Sequence, residues 1–195
     1  MDKPPDNYTE LPSSLGITLT CDPTDMLAVG IVNVGLHRII NRVAFQALST
    51  SDAQTASDFY YNYASSRHGP SFRPGLSDPI LIRSRLKSAS VGCFDQIVQL
   101  AVATAASNPH ALAILDHLAS NVIWAIGTYL PRRITHTLRG RQPLAPQTPC
   151  DVRSNVRTLV SRLAALGTPC ELSITERRVD GSTTELTFTI PPRRR

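Results

Sequence analysis

The chain has 195 residues and a formal net charge of +5, with 42% apolar and 18% charged residues. This length suits a single domain that buries its own core without disulfides or metal ions. The apolar fraction excludes a disordered chain, which buries too little apolar surface to offset the entropy of folding. Arginine supplies nearly all the positive charge, because Lys3 and Lys87 are the only lysines. Arginine binds phosphates and carboxylates bidentately, although a GC-rich genome would give the same bias.

The four cysteines, Cys21, Cys93, Cys150 and Cys170, are widely spaced and include no Cys-x-x-Cys pair. Zinc and redox sites use closely spaced cysteines, and secreted disulfide scaffolds are smaller and richer in cysteine. We therefore predict reduced, mostly buried thiols.

The N-terminus lacks the basic flank and apolar stretch of a signal peptide. The best candidate for a membrane span, residues 118–131, is shorter than the about 18 residues required, so we expect a cytoplasmic protein without a membrane span.

A strand followed by a long helix is predicted near the N-terminus. Residues 1–14 are expected to form a flexible tail, because they carry prolines and show no periodicity. Residues 15–21 alternate apolar and small polar side chains, which is typical of a half-buried strand. Residues 26–48 carry a helical apolar stripe. Additional apolar side chains predict that the first half of this helix is buried on more than one side: Leu27, Ile31 and Val34.

The pattern in the middle of the chain is less regular. Residues 49–79 show no clear periodicity, although the aromatic cluster at 59–63 indicates that some of this stretch is ordered. Residues 80–88 alternate apolar and basic side chains and predict a strand. A second alternating stretch begins at Phe94, so we predict a β-hairpin. A helix over residues 94–106 is the alternative, because some apolar positions also fit a helical spacing.

The C-terminal half predicts two helices and a hairpin. Ser107-Asn108-Pro109 begins a helix that Pro131 ends, and a basic connector with several prolines covers residues 131–149. A further helix ends at Gly167, a residue type common just beyond helix C-termini. Two alternating segments rich in β-branched residues flank Asp180-Gly181, which is a strong hairpin signal.

The order of these elements predicts the fold class. Helices and strands do not alternate singly, so we expect an α+β fold with a mostly antiparallel sheet packed against about three helices. The single domain is expected to cover residues 15–190. It could divide into sub-units 15–130 and 150–190 joined by the connector. Residues 191–195 are expected to form a basic tail.

The sequence contains no recognisable catalytic, cofactor or metal motif. Acid–base catalysis needs carboxylates or histidines, yet no glutamate lies between Glu10 and Glu171. No two histidines have the spacing that places two metal ligands on one helical face. Asp116-His117 could form an acid–base pair, but the polar edge of an amphipathic helix is the simpler interpretation. Cys93 would be a nucleophile only beside a group that lowers its pKa. We therefore predict no catalytic residues, no cofactor and no metal site.

Two groups of basic residues are candidates for contacts with phosphates. One alternates along the predicted strand at 80–88, and the other follows the helix that Pro131 ends. Basic side chains of this kind support non-specific nucleic-acid binding, and the aromatic cluster at 59–63 could stack on bases. The solvated face of a sheet is the alternative. The candidate phosphate or nucleic-acid contacts are Arg83, Arg85, Lys87, Arg132, Arg133, Arg139 and Arg141.

One stretch resembles a known group of proteins. A basic strand, a Ser-x-Gly turn and an aliphatic strand over residues 85–98 precede an apolar helix that ends near Asn121-Val122-Ile123-Trp124. This arrangement, over roughly residues 80–130, is similar to small bacterial α+β domains found beside effector genes of signalling and defence systems. The resemblance implies an adaptor or sensor rather than an enzyme, and it carries over no catalytic residue.

These observations favour a non-enzymatic protein-interaction module that binds a protein partner or forms a homo-oligomer. Its predicted helices carry more apolar surface than a small sheet would cover, and exposed apolar surface marks interaction sites. A nucleic-acid-binding protein that uses the arginine clusters is the alternative. An enzyme built around Asp116, His117 and Cys93 would require these side chains to converge on one pocket.

Overall fold

The structure is a computed structural model that describes residues 8–21, 26–51, 82–90, 94–103, 109–140, 150–178 and 181–192. Its six strands are β1 (Tyr8–Cys21), β2 (Ile82–Ser90), β3 (Phe94–Ala103), β4 (His136–Arg139), β5 (Cys170–Arg177) and β6 (Thr183–Ile190). Its helices in the described ranges are α1 (Met26–Ser51), α2 (Pro109–Leu115), α3 (Leu118–Tyr129) and α4 (Cys150–Ala164).

The strands form one sheet in the order β2-β3-β1-β5-β6-β4, and every neighbouring pair is antiparallel. The predicted α+β fold with an antiparallel sheet is therefore confirmed. Strand β1 lies between the N-terminal hairpin β2–β3 and the C-terminal hairpin β5–β6. A single sheet thus runs through both of the predicted sub-units, residues 15–130 and 150–190.

The helices cover one face of this sheet. Along β1 the side chains of Leu15, Ile17 and Leu19 are buried, while the residues between them are partly exposed. Helix α3 packs against β1, β4, β5 and β6, and it also contacts α1 and α4. Eight of its twelve residues are buried, so α3 lies at the centre of the helical layer. The buried side chains of the strands and those on the apolar faces of the helices form one core.

The predicted tail at residues 1–14 is wrong for residues 8–14, which belong to β1. Pro12 argues against a strand in the sequence, because proline has no N–H to donate to a β-ladder. The structure accommodates it at a shift of register between Glu10 and Ser14. The side-chain amide of Gln99 donates to the carbonyl oxygen of Leu11 at 2.5 Å, so this side chain takes the place of a backbone donor in the β-ladder.

Two other predicted boundaries differ from the structure. The predicted connector at 131–149 contains β4, a short edge strand that pairs with β6. Only Leu138 in this strand is packed against the core, so its sequence carries almost no apolar alternation. The predicted helix from Pro109 to Pro131 is divided into α2 and α3 by a turn at Asp116-His117.

The predicted hairpin over β2 and β3 is confirmed, and the alternative helix at 94–106 is excluded by the pairing of β3 with both β1 and β2. The predicted C-terminal hairpin is likewise present as β5 and β6. Of the irregular region 49–79, residues 49–51 complete α1. The remaining residues of that region, including the aromatic cluster at 59–63, lie outside the described residues.

In the described part of the chain, two segments are long and apolar enough to cross a membrane by length and composition alone. They are Met26–Ser49, with a mean hydropathy of 1.2, and Pro109–Tyr129, with a mean hydropathy of 1.3. The second includes the turn between α2 and α3. Core helices of water-soluble proteins share this length and composition.

Candidate interaction surface

The first half of α1 exposes large apolar side chains. The exposed fractions are 74% for Met26, 60% for Leu27 and 48% for Val34. Leu27 and Val34 lie two turns apart on the same face of the helix, with Ile31 partly buried beside them. We call Leu27, Ile31 and Val34 the α1 stripe. The prediction that these residues are buried on a second side of the helix is therefore wrong for Leu27 and Val34.

A glycine lies in the middle of this face. Gly30 is exposed, and a Cβ atom placed there would meet no heavy atom within 4 Å. The helix surface therefore has a depression between the side chains of Leu27 and Val34. A helix from another molecule can approach the α1 backbone closely at such a position.

The neighbouring face of α1 packs tightly on α4. A Cβ atom on Gly35 would lie 2.7 Å from Cδ1 of Leu159 and 3.3 Å from its Cβ, so a larger residue at this position would force Leu159 or the helix crossing to shift. Leu159 is buried. The close packing at Gly35 fixes which side of α1 is available, and it leaves the α1 stripe facing outwards beside α4.

The outer face of α4 is basic. Arg153, Arg157 and Arg162 are exposed on it, and Arg38 of α1 lies with Arg162 in the groove between the two helices. We call these four arginines the basic face. Among the described residues none of them pairs with a carboxylate. Helix α1 contains no acidic residue, and Asp151 is the only one in α4, so few nearby carboxylates compensate this charge.

The basic face borders a shallow depression of about 560 Å³. Its lining consists of arginine, serine and threonine side chains: Arg153, Ser154, Arg157, Thr158, Ser161 and Arg162. In the sequence, Arg153, Arg157 and Arg162 lie opposite the apolar side of α4, but they are not among the residues predicted to contact phosphates. The usable signal was the lack of acidic residues in α1 and in α4 beyond Asp151.

A second depression, of about 380 Å³, opens between α1 and the sheet. Its walls are mostly apolar, with His37, Ser84 and Gln96 among its polar residues. Burial lowers the pKa of the His37 imidazole. The hydroxyl of Ser84 is buried without a hydrogen-bond partner in the described residues. Val34 and Arg38 also line this cleft, so it adjoins the α1 stripe.

The predicted phosphate contacts on β2 have partners within the chain. The guanidinium of Arg83 stacks over the ring of Tyr8, 4.4 Å from its centroid, which is a cation–π contact. Nζ of Lys87 lies 3.9 Å from Oε2 of Glu10. Arg85 lies on the same strand, but its side chain is outside the described part of the structure. Through these contacts Arg83 and Lys87 link β2 to residues of β1.

The other predicted contacts lie at the opposite side of the molecule. Arg132 and Arg133 are exposed in the turn after α3, and Arg139 is exposed on β4 opposite Glu185. Strands β2 and β4 are the two edges of the sheet, about 24 Å apart at the usual strand spacing. The two groups therefore do not merge into one surface. Arg141 lies outside the described residues.

Asp116 and His117 meet an arginine from the end of β5. Nη2 of Arg178 lies 3.0 Å from Oδ2 of Asp116 and 2.8 Å from Nδ1 of His117. An arginine can only donate, so Nδ1 of His117 is the acceptor in this contact. Arg178 also donates to the carbonyl oxygen of Asp116 at 3.2 Å. The cluster holds the turn between α2 and α3 against the sheet.

Glu176 completes this cluster. Its side chain is 2% exposed, and its Oε1 lies 3.4 Å from Nε of Arg178. Burial raises the pKa of the Glu176 carboxyl, and the hydrogen bond with Thr184 and the charge of Arg178 oppose this. Oε1 accepts no hydrogen bond within the described residues. The group is thus a buried carboxyl held beside a single guanidinium.

These contacts do not assemble a nucleophilic site from described residues. Asp116 and His117 are joined to Arg178 and Glu176, whereas Cys93 lies outside the described residues. Within the described ranges, no group of three or more His, Cys, Asp or Glu side chains could hold a metal ion. Comparison of the chain with protein-family models, curated proteins and solved structures gives no match.

Proposed function

We propose that this chain is a non-enzymatic protein-interaction module that self-associates through the α1 stripe. The observation that carries this proposal is the exposure of Leu27 and Val34 on a helix whose opposite side is buried in the core. Isolated exposed apolar residues are common, but a stripe of them along one helix marks an interaction site.

The spacing of the stripe is self-complementary. Leu27 and Val34 are placed symmetrically about Gly30 and Ile31. In an antiparallel pair of α1 helices, Leu27 of one copy packs against Val34 of the other copy, and the reverse contact forms by symmetry. Gly30 lies near the twofold axis, where its missing side chain lets the two backbones approach. A second copy of this chain is therefore the occupant that fits this face.

The charge of the basic face does not oppose this pairing. Arg38 lies between seven and eight residues from the centre of the stripe, or about 11 Å along the helix axis at 1.5 Å per residue. An antiparallel arrangement places the two copies of Arg38 on opposite sides of the axis, about 22 Å apart. This separation exceeds the Debye length of about 8 Å at physiological salt.

Sedimentation velocity over a range of protein concentrations tests the proposal. We expect a reversible dimer, and we expect Val34→Asp to weaken it about tenfold or more, because the carboxylate would be buried in the interface. Gly30→Trp should also weaken the dimer without unfolding the monomer, since the position is open. Thr128→Asp on the exposed side of α3 is the matched control and should leave the dimer unchanged.

Two results would refute self-association through α1. One is a monomer at every concentration up to the millimolar range. The other is a dimer whose dissociation constant is the same for Val34→Asp and Thr128→Asp. Circular dichroism of each variant separates loss of the dimer from loss of the fold.

The resemblance of residues 80–130 to bacterial domains beside effector genes supports an adaptor or sensor role for such a module. On this proposal the chain is an accessory component of a defence or signalling system and acts in the cytoplasm. Deletion of a neighbouring effector gene, followed by purification of the chain, would show whether its assembly state depends on that effector.

Nucleic-acid binding is the second candidate function, favoured by the four arginines of the basic face. Their lack of carboxylate partners among the described residues leaves them able to contact phosphates. Binding of labelled DNA and RNA should weaken steeply with added salt, and Arg157→Glu should weaken it further. Arg132→Glu, at the end of α3, is the control of equal charge change. No binding at low salt would exclude this function, whatever the result for the dimer.

A further inference from the structure

Two cysteines from distant parts of the chain are in direct contact. Cys21 is the last residue of β1, Cys170 is the first residue of β5, and the two are directly opposite in the antiparallel register. They are separated by 149 positions in the sequence, and their Sγ atoms lie 2.6 Å apart. Their exposed fractions are 7% and 1%. Both side chains are therefore on the buried face of the sheet.

This placement meets the requirements of a disulfide. Residues directly opposite in an antiparallel pair have Cβ atoms about 4.5–5.5 Å apart, and disulfides need Cβ atoms about 3.5–4.5 Å apart. A small movement of the two side chains is sufficient, because both sulfur atoms already point towards each other. The sequence spacing of the cysteines gave no indication of this pair, since the contact depends on the order of the strands.

We propose that Cys21 and Cys170 form a reversible disulfide that cross-links β1 to β5. The oxidant is a low-molecular-weight disulfide of the glutathione type. The Cys21 thiolate attacks one sulfur of the oxidant and releases one thiol, which gives a mixed disulfide on Cys21. The Cys170 thiolate then attacks Sγ of Cys21 and releases the second thiol. Two protein thiols are oxidised, one small disulfide is reduced, and both protons pass to the released thiols or to solvent.

The cross-link joins the two halves of the sheet. Strands β1 and β5 are the only neighbours in the described sheet that connect the N-terminal strands with the C-terminal ones. In the chain-entropy model, a disulfide stabilises the fold more as the closed loop becomes longer. This bond would close most of the chain into one loop. The oxidised protein should consequently resist unfolding more strongly than the reduced protein.

The test uses the full chain with Cys93→Ser and Cys150→Ser, so that Cys21 and Cys170 are the only thiols. After incubation with oxidised glutathione, the protein is denatured in N-ethylmaleimide and its intact mass is measured. We expect a loss of two hydrogens, no maleimide adduct and no glutathione adduct. The melting temperature should rise by about 10 °C and return on reduction.

Single Cys21→Ser and Cys170→Ser variants are the matched controls. In each, the remaining thiol should be labelled or carry glutathione, and the melting temperature should not change on oxidation. The proposal is overturned if both thiols of the parent protein are labelled after oxidation, or if both carry glutathione. It is also overturned if the melting temperature of either single variant rises as much as that of the parent. None of these results depends on whether α1 forms a dimer.

Discussion

At the scale of single residues, the two glycines of α1 have opposite roles. A Cβ at Gly35 would lie 2.7 Å from Leu159, whereas one at Gly30 would meet nothing within 4 Å. Gly35→Ala should therefore lower the free energy of unfolding by about 1–3 kcal/mol through overpacking. Gly30→Ala should raise it by about 0.5–1 kcal/mol through helix propensity. Urea denaturation at a concentration below dimer formation measures both, and equal effects of the two variants would contradict this account.

Single-residue roles were only partly predictable from the sequence. Asp116 and His117 were interpreted as residues at the polar edge of an amphipathic helix, but they lie in the turn between α2 and α3, and their partner Arg178 is 62 positions from Asp116. Such a contact depends on how the turn between α2 and α3 meets the end of β5. The buried state of Glu176 depends on the same packing. Local pattern identifies which side chains are polar, and tertiary structure decides which of them meet.

At the scale of elements, one asparagine joins α1 to the edge strand β2. Nδ2 of Asn41 donates to the carbonyl oxygen of Ile82 at 2.9 Å, and the Ile82 amide donates to Oδ1 of Asn41 at 2.8 Å. The side chain thus replaces a neighbouring strand at this point. Asn41→Leu would leave both buried backbone groups unpaired, at a cost of about 1–3 kcal/mol for each.

Hydrogen exchange of the Ile82 amide tests this role directly. It should become much faster in Asn41→Leu, while amides in the middle of β3 keep their protection. Asn33→Leu is the control on the same helix, since Asn33 is exposed and its side chain accepts a hydrogen bond from the side chain of Gln96, not from the backbone of β2. Unchanged exchange at Ile82 in Asn41→Leu would show that the asparagine does not hold the strand.

The elements with strong local patterns were the ones that the sequence predicted. The two hairpins and the long helix α1 follow from alternation, from Asp180-Gly181 and from a helical stripe. Strand β4 was missed because an edge strand of four residues needs only one buried side chain. The turn at Asp116-His117 was missed because the apolar stripe continues on both sides of it.

At the scale of the whole molecule, the order of the strands was beyond sequence reasoning. Each hairpin specifies one local pairing, but the pairing of β1 with β5 joins residues about 150 positions apart. No local pattern encodes it. This pairing carries the two features that give the molecule its testable chemistry, the contact between Cys21 and Cys170 and the position of Glu176 opposite Leu15.

The stability of the whole molecule should depend on pH through the buried carboxyl of Glu176 and the half-buried imidazole of His37, whose pKa values are shifted in opposite directions. The pKa of Glu176 is raised above its ordinary value of 4.5, so the folded chain binds this proton more tightly than the unfolded chain. Its contribution to stability is complete below pH 4.5 and is lost as the pH rises through the folded pKa. The pKa of His37 is lowered from 6.5, so its contribution is lost as the pH falls below that value.

Glu176→Gln separates the two effects, because the amide cannot ionise and Arg178 keeps its contact with Asp116. The free energy of unfolding of this variant, minus that of the parent chain, should become more positive as the pH rises from 4 to 7. Urea denaturation at several pH values gives this difference. Glu171→Gln, on the exposed face of β5, is the control and should show no such slope. A constant or falling difference for Glu176→Gln would mean that the Glu176 carboxyl is no more protonated in the folded chain than in the unfolded chain.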